Sequence, residues 1–401
     1  MKIAFSPPDI TEEEIEAVAE VLRSGWITTG PKTKKFEEKI AEISNTRRGV
    51  ALNSATACME MTLHLLGIGP GDEVITTAYT YTATASCICH VGARPVIVDT
   101  IKGEYWMDPE KVEAAITEKT KGIIPVDLGG IIYPYYDKLY KVIESKKEIF
   151  VPKSKFQEGM GRIAVIADSA HSVGAKRQNR SNGTWADFTC YSFHAVKNLT
   201  TGEGGGLTWN VSEEWDEEIY KEYMLLSLHG QSKDALAKTR LGSWEYDVVA
   251  PYYKCNMTDI AAGIGLVQYQ RYPEILRRRK EIINQYNEGL QELGIHTLPH
   301  YCDGNESAGH LYLTRIPGFT LEERNRFIEE MAERGIATNV HYKPLPLLTA
   351  YKNQGYQIKD YPNAFEMYQN EVTLPLHTKL TDEEVSYIIK NYKEALRSIQ
   401  K

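Results

Sequence analysis

The sequence predicts an α/β protein whose larger part is a mostly parallel sheet with helices on both faces. The main observation is that short apolar runs alternate with helical patterns between residues 49 and 210. A second is that a long charged helix, followed by a smaller α/β pattern, occupies the chain after residue 260. At 401 residues, the chain is long enough for two or three domains. We therefore expect a large domain over residues 1–264 and a small C-terminal domain over residues 265–401.

Helix starts are marked by capping boxes, in which a threonine and a glutamate three residues later satisfy each other's backbone amides. Behind the first box, apolar residues recur at helical spacing, and Gly25 follows as a stop. Asp108 and Pro109 are typical of the cap and first turn of another helix. The three boxes are Thr11/Glu14, Thr320/Glu323 and Thr381/Glu384.

Short apolar runs are predicted as the buried strands of one sheet. The first run leads directly into a helix predicted over residues 55–66. Further along, a long charged helix is expected through residues 274–293, and residues 146–161 are expected to form a surface insertion. The predicted strands are 50–52, 74–75, 95–98, 123–126 and 164–167.

Composition and charge exclude several classes of protein. The net charge of −8 argues against a nucleic-acid binder, which would usually show a basic patch. No apolar run approaches the length of a membrane span. The six cysteines show no disulfide spacing, and the first residues pass into a helix rather than an apolar leader, so we expect a cytoplasmic protein. Cys87 and Cys89 have no second ligand pair at a suitable spacing, and no metal site is predicted.

One lysine stands in an unusual setting. Lys197 follows the aromatic run 191–194 and precedes a glycine cluster at 202–206, so its loop can bring backbone close to a ligand. Asp168 directly follows the strand predicted at 164–167. Pyridoxal phosphate (PLP) requires a lysine amine for its Schiff base, a carboxylate for its ring nitrogen and donors for its phosphate. The sequence therefore predicts a PLP site; the plain alternative for Lys197 is a surface lysine in a polar loop.

Asp168 and His171 are expected at the edge of the sheet where open α/β folds bind ligands. A carboxylate at that place could keep the PLP ring nitrogen protonated, which makes the ring an electron sink. His171 could contact the ring oxygen of the cofactor or orient Asp168. The alternative for Asp168 is a helix N-cap, which is a common role of aspartate.

The phosphate of PLP is expected at the turn after the first strand. Ala55 and Thr56 begin a helix there, and a helix N-terminus presents free N–H groups and a partial positive charge. Thr56 adds a hydroxyl, and Ser192 could add a second. Tyr81 could stack on the pyridine ring. The alternatives are ordinary N-capping by Ser54 and a core aromatic residue at position 81.

Together these residues resemble the DegT/DnrJ/EryC1/StrS family, the sugar aminotransferases of the aspartate aminotransferase superfamily. The resemblance covers nearly the whole chain, and the most specific match is the segment 192–198 with its trailing glycines. The other matching segments are Gly-Trp-Ile-Thr-Thr-Gly-Pro at 25–31, the turn 53–56, Thr80-Tyr81, Asp-Ser-Ala-His at 168–171, His-Tyr-Lys-Pro-Leu at 341–345 and Leu-Pro-Leu at 374–376.

The resemblance implies PLP fold type I, with a seven-stranded sheet, in a homodimer whose active sites are built across the interface. Segment 253–259 matches the stretch that reaches a partner's cofactor, and either Lys254 or Asn256 would contact the phosphate. The segment 127–130, Asp-Leu-Gly-Gly, departs from the His-x-x-Gly of the family.

The implied reaction is transfer of an amino group from L-glutamate to a nucleotide-linked keto sugar, with a 4-keto-6-deoxy sugar expected, for surface polysaccharide or glycan synthesis. The resemblance assigns Trp26, Thr29, His310 and His341 to the sugar side and the catalytic roles to Lys197, Asp168 and His171. Alternatives are a cyclitol or aminobenzoate-type aminotransferase, and a non-catalytic sensor or scaffold. Related sugar 3-dehydratases carry histidine where this chain keeps Lys197.

Overall fold

The computed structural model describes residues 1–232, 245–302 and 304–399. Its centre is a seven-stranded sheet in the order β1-β9-β8-β5-β4-β2-β3. β9 is antiparallel to both of its neighbours, β1 and β8, while the pairs from β8 through β5, β4 and β2 to β3 are parallel. The predicted α/β class is confirmed. The seven strands are β1 Gly49–Leu52, β2 Glu73–Thr77, β3 Arg94–Val98, β4 Thr120–Ile124, β5 Ala164–Asp168, β8 Phe188–Ser192 and β9 Gly205–Trp209.

Helices pack on this sheet and around a smaller one near the C-terminus. The helices are α1 Glu12–Ser24, α2 Pro31–Ser44, α3 Ala55–Leu65, α4 Ala83–His90, α5 Pro109–Ala115, α6 Tyr136–Ser145, α7 Lys155–Met160, α8 Asp216–Ser227, α9 Asp259–Leu290, α10 Leu321–Glu333, α11 Thr349–Lys352, α12 Pro362–Gln369 and α13 Asp382–Ile399. The remaining strands are β6 Lys176–Arg177, β7 Arg180–Ser181, β10 His296–Thr297, β11 Asn305–Glu306, β12 Tyr312–Arg315 and β13 Glu371–Leu374.

The helix signals of the sequence are confirmed. Reciprocal capping boxes begin α1 and α10. The third box is also formed, since Thr381 N donates to Glu384 Oε2 at 3.0 Å and Glu384 N to Thr381 Oγ1 at 3.2 Å. Gly25 ends α1 with a φ of 74°, a conformation that favours glycine. Asp108 caps α5 through the amide of Glu110.

The predicted bounds differ most from the observed ones at two elements. The strand expected at 123–126 is β4, which begins at Thr120 and ends at Ile124, before Pro125. A proline cannot donate a ladder hydrogen bond, and this one ends the strand. The helix expected at 274–293 is α9, which begins at Asp259 because Thr258 caps it and continues through Pro273. The domain boundary predicted at 264/265 falls inside this helix.

The second sheet follows α9 and has the order β10-β12-β13, with all pairs antiparallel. Most of its apolar residues form a core with α9, α10 and α13 that is separate from the cores of the large sheet. β12 and β13 also bury three polar side chains completely, those of Thr314, Glu371 and Thr373. The predicted smaller α/β unit is thus present.

Other expectations concern the surface. In the expected insertion 146–161, α7 is not wholly superficial: Phe156 is buried and Gln157 donates to the carbonyl of Lys121 at 2.8 Å. The six cysteines, all of them among the described residues, form no disulfide with one another. Among the described residues there is no group of three or more potential metal ligands, and none of their helices is long and apolar enough to span a membrane.

Candidate active site

A cavity of about 350 Å³ lies where the parallel strands of the large sheet end. The turn before α3, the end of β5 and the loop after β8 all contribute to its walls, and a segment of the C-terminal part closes one side. The sequence-predicted residues that line it are Ala55, Thr56, Tyr81, Asp168, His171, Ser192, Lys197 and His341.

The other predicted site residues do not line this cavity. His310 lies behind His171, with the two ring centroids 4.4 Å apart, and its Nδ1 is 2.9 Å from Asn198 Oδ1. Trp26, Thr29, Lys254 and Asn256 form a separate group that is described below.

Lys197 is held in place by the loop that follows β8. Its backbone amide donates to the carbonyl of His194 at 2.8 Å, and the partly buried side chain lines the cavity. Burial lowers the pKa of the lysine amine to about 8, although the nearby Asp168 carboxylate opposes the shift. A lysine with this pKa is present partly as the free amine near neutral pH, which is the nucleophilic form.

Asp168 is the last residue of β5, and its side chain is buried. Thr84 Oγ1 donates to Asp168 Oδ2 at 2.7 Å, and the amide of Ala170 donates to Oδ1 at 3.3 Å. Burial raises the pKa of this carboxyl, while the Thr84 and Ala170 bonds and the Lys197 charge lower it. Asp168 therefore presents a buried carboxyl group that a cationic partner in the cavity would stabilise as the carboxylate.

At the turn before α3, the backbone of β9 lies close to the backbone of Ser54 and Ala55. Ser54 caps α3 by accepting from the amide of Ala57 at 3.1 Å, so that Ala55 and Thr56 stand at the helix N-terminus and line the cavity. A Cβ on Gly205 would lie 2.2 Å from the Ser54 carbonyl carbon. Only glycine at this place in β9 lets the strand support the turn, which suits the binding of a phosphate at the helix end.

The hydrogen bonds of His171 allow only one tautomer of its neutral ring. The amide of Gly129 donates to His171 Nδ1 at 3.2 Å, so the ring proton lies on Nε2, which is 2.9 Å from the Tyr342 hydroxyl. Burial and the Lys197 charge keep the pKa of His171 well below its usual value, so the ring is neutral. His171 therefore acts as a hydrogen-bond donor to Tyr342, and Tyr342 also lines the cavity.

Asp127 supports the turn that carries Asp168 and His171. It accepts from the hydroxyls of Ser169 at 2.6 Å and Ser172 at 2.7 Å, and from the amide of Tyr133 at 2.8 Å. Its backbone amide also donates to the carbonyl of Asp168 at 3.0 Å. Burial raises the pKa of Asp127 to about 6, although the bonds from Ser169, Tyr133 and Ser172 to its carboxylate lower it.

The segment around residue 256 is tied to the loop after α1. Asn256 Nδ2 donates to Thr29 Oγ1 at 2.5 Å, and Lys254 Nζ donates to Asn256 Oδ1. Thr29 in turn donates to the carbonyl of Met257 at 2.5 Å, and Trp26 Nε1 donates to the carbonyl of Thr29 at 3.1 Å. Lys254 is exposed, so the group lies at the surface, away from the walls of the chain's own cavity.

The roles of three residues of the site were missed from the sequence, although Asp127 and Tyr342 stand in segments that were compared with the family. Thr84 stands in the threonine-rich run 80–84, where only Tyr81 was singled out. Asp127 directly follows the run predicted as a strand at 123–126, as Asp168 follows its own, and this parallel was the available signal. Tyr342 stands in the matching segment 341–345, but nothing there indicates its contact with His171, because that partner is far away in the sequence.

These residues fit PLP. One cavity contains a lysine amine, a buried carboxyl and a helix N-terminus supported by a glycine that leaves no room for a side chain. Lys197 would bind the aldehyde, Asp168 would face the ring nitrogen, and Ala55, Thr56 and Ser192 would hold the phosphate.

Comparisons with known proteins agree with this chemistry. A model of the DegT/DnrJ/EryC1/StrS aminotransferase family matches residues 8–393. The spore coat polysaccharide biosynthesis protein SpsC from Bacillus subtilis is 37% identical over 405 residues, a match that covers 100% of this chain and 97% of SpsC.

Solved structures extend the agreement to the whole fold. The putative sugar aminotransferase Spr1654 from Streptococcus pneumoniae, in its PMP form, superposes with a TM-score of 0.96 at 56% identity, covering 99% of this chain and 100% of that one. A PLP form of Spr1654 gives the same TM-score at 54% identity, with 100% of both chains covered. Helicobacter pylori PseC, an aminotransferase involved in the biosynthesis of pseudoaminic acid, is 27% identical with a TM-score of 0.86, covering 99% of this chain and 100% of PseC.

Proposed function

The chain belongs to the DegT/DnrJ/EryC1/StrS aminotransferase family, and we propose that it transfers the amino group of L-glutamate to a nucleotide-linked keto sugar. It is a PLP-dependent enzyme with the type I fold of the sugar aminotransferases. The proposed acceptor is a 4-keto-6-deoxy sugar, and the proposed setting is the synthesis of a surface polysaccharide or glycan.

The observation that supports the reaction type best is Lys197 in one cavity with Asp168 and the α3 N-terminus. When bound, PLP supplies the electron sink that amino transfer requires. Lys197 would bind the cofactor and, once released from it, would accept and return a proton at Nζ, a task that suits a pKa of about 8. Asp168 would hold a proton on the ring nitrogen.

The remaining residues orient and bind. Tyr81 is 60% exposed at the cavity wall, where an open aromatic face can stack on a flat ring. His171 and Tyr342 fix one another beside it. His341 reaches the same cavity from the C-terminal part of the chain, which supports its assignment to the sugar side.

We also propose a homodimer with shared active sites. The group of Trp26, Thr29, Lys254 and Asn256 is ordered by its own hydrogen bonds but does not reach the cavity of its own chain. This arrangement suits a role in the cavity of a second copy. Since Lys254 donates to Asn256, the ammonium and the amide would be presented together, and a phosphate could be contacted by either.

The test is an absorption spectrum of the purified protein with PLP, before and after L-glutamate is added. The expected result is a visible band that disappears with glutamate and returns when a nucleotide-linked 4-keto-6-deoxy sugar follows, with the amino sugar identified by mass spectrometry. Lys197→Ala should show neither the band nor the product, while Lys176→Ala, a change of an exposed lysine, should behave as the wild type.

Each part of the proposal can fail separately. A band that ignores glutamate would contradict the donor. A band that responds to glutamate and returns with a cyclitol ketone, but not with keto sugars, would favour the cyclitol alternative. Failure to retain PLP in equilibrium dialysis would favour a non-catalytic protein.

A further inference from the structure

A short chain of hydrogen bonds connects the buried carboxyl of Glu371 to the cavity. Glu371 and Thr373 lie on β13 two residues apart, so their side chains point to the same face of the strand. Thr373 Oγ1 donates to Glu371 Oε1 at 2.5 Å and is 2.9 Å from His341 Nδ1. Glu371 and Thr373 are completely buried, whereas His341 lines the cavity.

His341 is held from several directions. Its backbone amide donates to Glu371 Oε2 at 2.8 Å, its carbonyl accepts from the Tyr79 hydroxyl at 2.8 Å, and Phe5 stacks on the ring at 5.6 Å between centroids. Because Nδ1 is turned toward Thr373, Nε2 is the ring nitrogen left for a ligand in the cavity.

The hydroxyl of Thr373 has one hydrogen, so it can donate to only one of its two neighbours, Glu371 or His341, at a time. If Thr373 donates to Glu371, it must accept from His341 Nδ1, and Nε2 then carries a lone pair. If Glu371 is protonated and donates to Thr373, the hydroxyl donates to His341 Nδ1, and Nε2 then carries the proton. In a neutral imidazole, the proton on Glu371 and the proton on Nε2 therefore appear and disappear together.

We propose that Glu371, Thr373 and His341 form a proton relay that sets whether His341 Nε2 donates or accepts a hydrogen bond in the active-site cavity. Thr373 and Glu371 are positioning residues in this scheme, and His341 is the residue that would touch the substrate. A proton taken up at Nε2 ends on Glu371, so the imidazole need not become a cation.

The pKa values of His341 and Glu371, the two ends of the relay, suit this exchange of protons. Burial and the Lys197 charge lower the pKa of His341 to about 3, so the ring alone is a poor base. Burial raises the pKa of Glu371 to about 8, against the opposing bonds from Thr373 and the His341 amide and the charge of Arg324. Below pH 8 the donor form of Nε2 should dominate, and above it the acceptor form. The other titratable groups that sense Glu371 are Tyr79, Tyr105, Tyr342 and Tyr392, whose phenols stay protonated because burial raises their pKa.

The relay deepens the proposed function and relies on it for the ketone acceptor. Replacing a ketone oxygen by nitrogen releases one water, so the oxygen gains two protons that the amino nitrogen gives up. His341 would lend one of them: Nε2 gives its proton to the oxygen, Thr373 passes its proton to Nδ1, and Glu371 passes its proton to Thr373. The amino nitrogen then gives a proton to Nε2, and the transfers run in reverse until Glu371 is protonated again. The three residues end with the charge with which they began.

The experiment is a pH titration of the PLP-loaded protein with ¹⁵N-labelled histidine, observed by NMR without any substrate. A His341→Gln variant assigns the signals. In the wild type the proton should lie on Nε2 at pH 6.5 and on Nδ1 at pH 9.5. Thr373→Ser keeps the hydroxyl and should keep the exchange, whereas Thr373→Val and Glu371→Gln should each leave a tautomer that no longer changes with pH.

Two results would overturn the relay. One is a wild-type His341 whose tautomer is the same at both pH values, and the other is an exchange that persists unchanged in Thr373→Val. Because no sugar is present, neither result depends on whether the protein aminates a nucleotide sugar. Failure with keto sugars would contradict the proposed function and leave the NMR result standing.

Discussion

The amide of Gly129 and Nδ1 of His171 are joined by a hydrogen bond of 3.2 Å across the edge of the large sheet. Because an amide can only donate, this one contact determines which nitrogen of His171 holds the proton. It thereby makes the Tyr342 hydroxyl an acceptor and leaves the hydrogen of that hydroxyl free to turn toward the cavity.

Tyr342→Phe should destabilise the protein because the buried Nε2–H of His171 loses its acceptor. A buried donor left unsatisfied costs about 1–3 kcal/mol, and we expect a loss of that size in the free energy of unfolding. Urea denaturation of the PLP-loaded protein measures it. Tyr81→Phe, at the exposed ring in the same cavity, is the control. Equal unfolding free energies for the two variants would show that the His171–Tyr342 contact does not stabilise the fold.

Gly205→Ala should weaken cofactor binding. The new Cβ would lie 2.2 Å from the Ser54 carbonyl carbon and 2.5 Å from the Ala55 nitrogen, so β9 or the α3 N-terminus must move. We expect the Kd for PLP, measured by fluorescence titration, to rise at least about tenfold, or 1.4 kcal/mol. Gly69→Ala is the control, since its Cβ meets only the Val91 carbonyl at 3.6 Å. If both variants bind PLP as the wild type does, the turn does not hold the phosphate.

Removing Lys197 should stabilise the cofactor-free protein at neutral pH. The pKa of the folded-state amine is about 8, below its unfolded value of about 10.4, so the fold opposes the charge at every pH below 8. Lys197→Met should therefore raise the free energy of unfolding at pH 7 by up to about 3 kcal/mol. The gain should fade as the pH rises from 8 to above 10, where the wild-type lysine is neutral in both states.

Chemical denaturation at pH 7 and pH 10 checks this dependence. Lys2→Met, at an exposed lysine, should change stability little at either pH. A gain that is independent of pH would contradict the electrostatic cause and point to improved packing instead.

Asp127→Ala should both destabilise the fold and disturb the cofactor. It leaves the hydroxyls of Ser169 and Ser172 and the amide of Tyr133 without their acceptor, and we expect a loss of at least about 3 kcal/mol. Since the same turn carries Asp168, the visible band of bound PLP should also shift or weaken.

Asp99→Ala is the matched control for that variant. Asp99 is also buried and accepts from three backbone amides, those of Thr100, Asn363 and Ala364, but it does not line the cavity. It should cost similar stability and leave the cofactor spectrum unchanged. A spectrum altered equally by both variants would mean that the effect comes from general loosening.

The sequence was sufficient where a residue's role depends on its immediate neighbours. The capping boxes, the stop at Gly25 and the strand before Asp168 are local patterns, and the structure has them all. Lys197 and Thr56 were predicted for one site from a loop between an aromatic and a glycine run and from a helix start, and both line the same cavity. Their roles in that cavity stay predictions. The beginning of α9 was missed although Ile260 and Ile264 stand at helical spacing, because the glycines at 263 and 265 interrupt the pattern.

What the sequence could not supply are the long-range partners. The acceptor of Thr84 is 84 residues away at Asp168, and the partner of Tyr342 is 171 residues away at His171. No local pattern indicates such pairs, because they form only when strand order brings distant loops to one edge. His310 is the opposite case, a histidine named from resemblance that the structure places behind the cavity wall rather than on it.

The continuous helix α9 has a mechanical consequence. It spans 32 residues from Asp259 to Leu290 and packs against α1 and α2 at one end and against α13 at the other. It therefore joins the part with the seven-stranded sheet to the part with the C-terminal sheet without a linker. A protease that needs an extended strand of substrate will find none between the two sheets along this helix. Neither part can be excised as a fragment without cutting α9, which packs in both of them. We therefore expect the two parts to unfold in a single thermal transition.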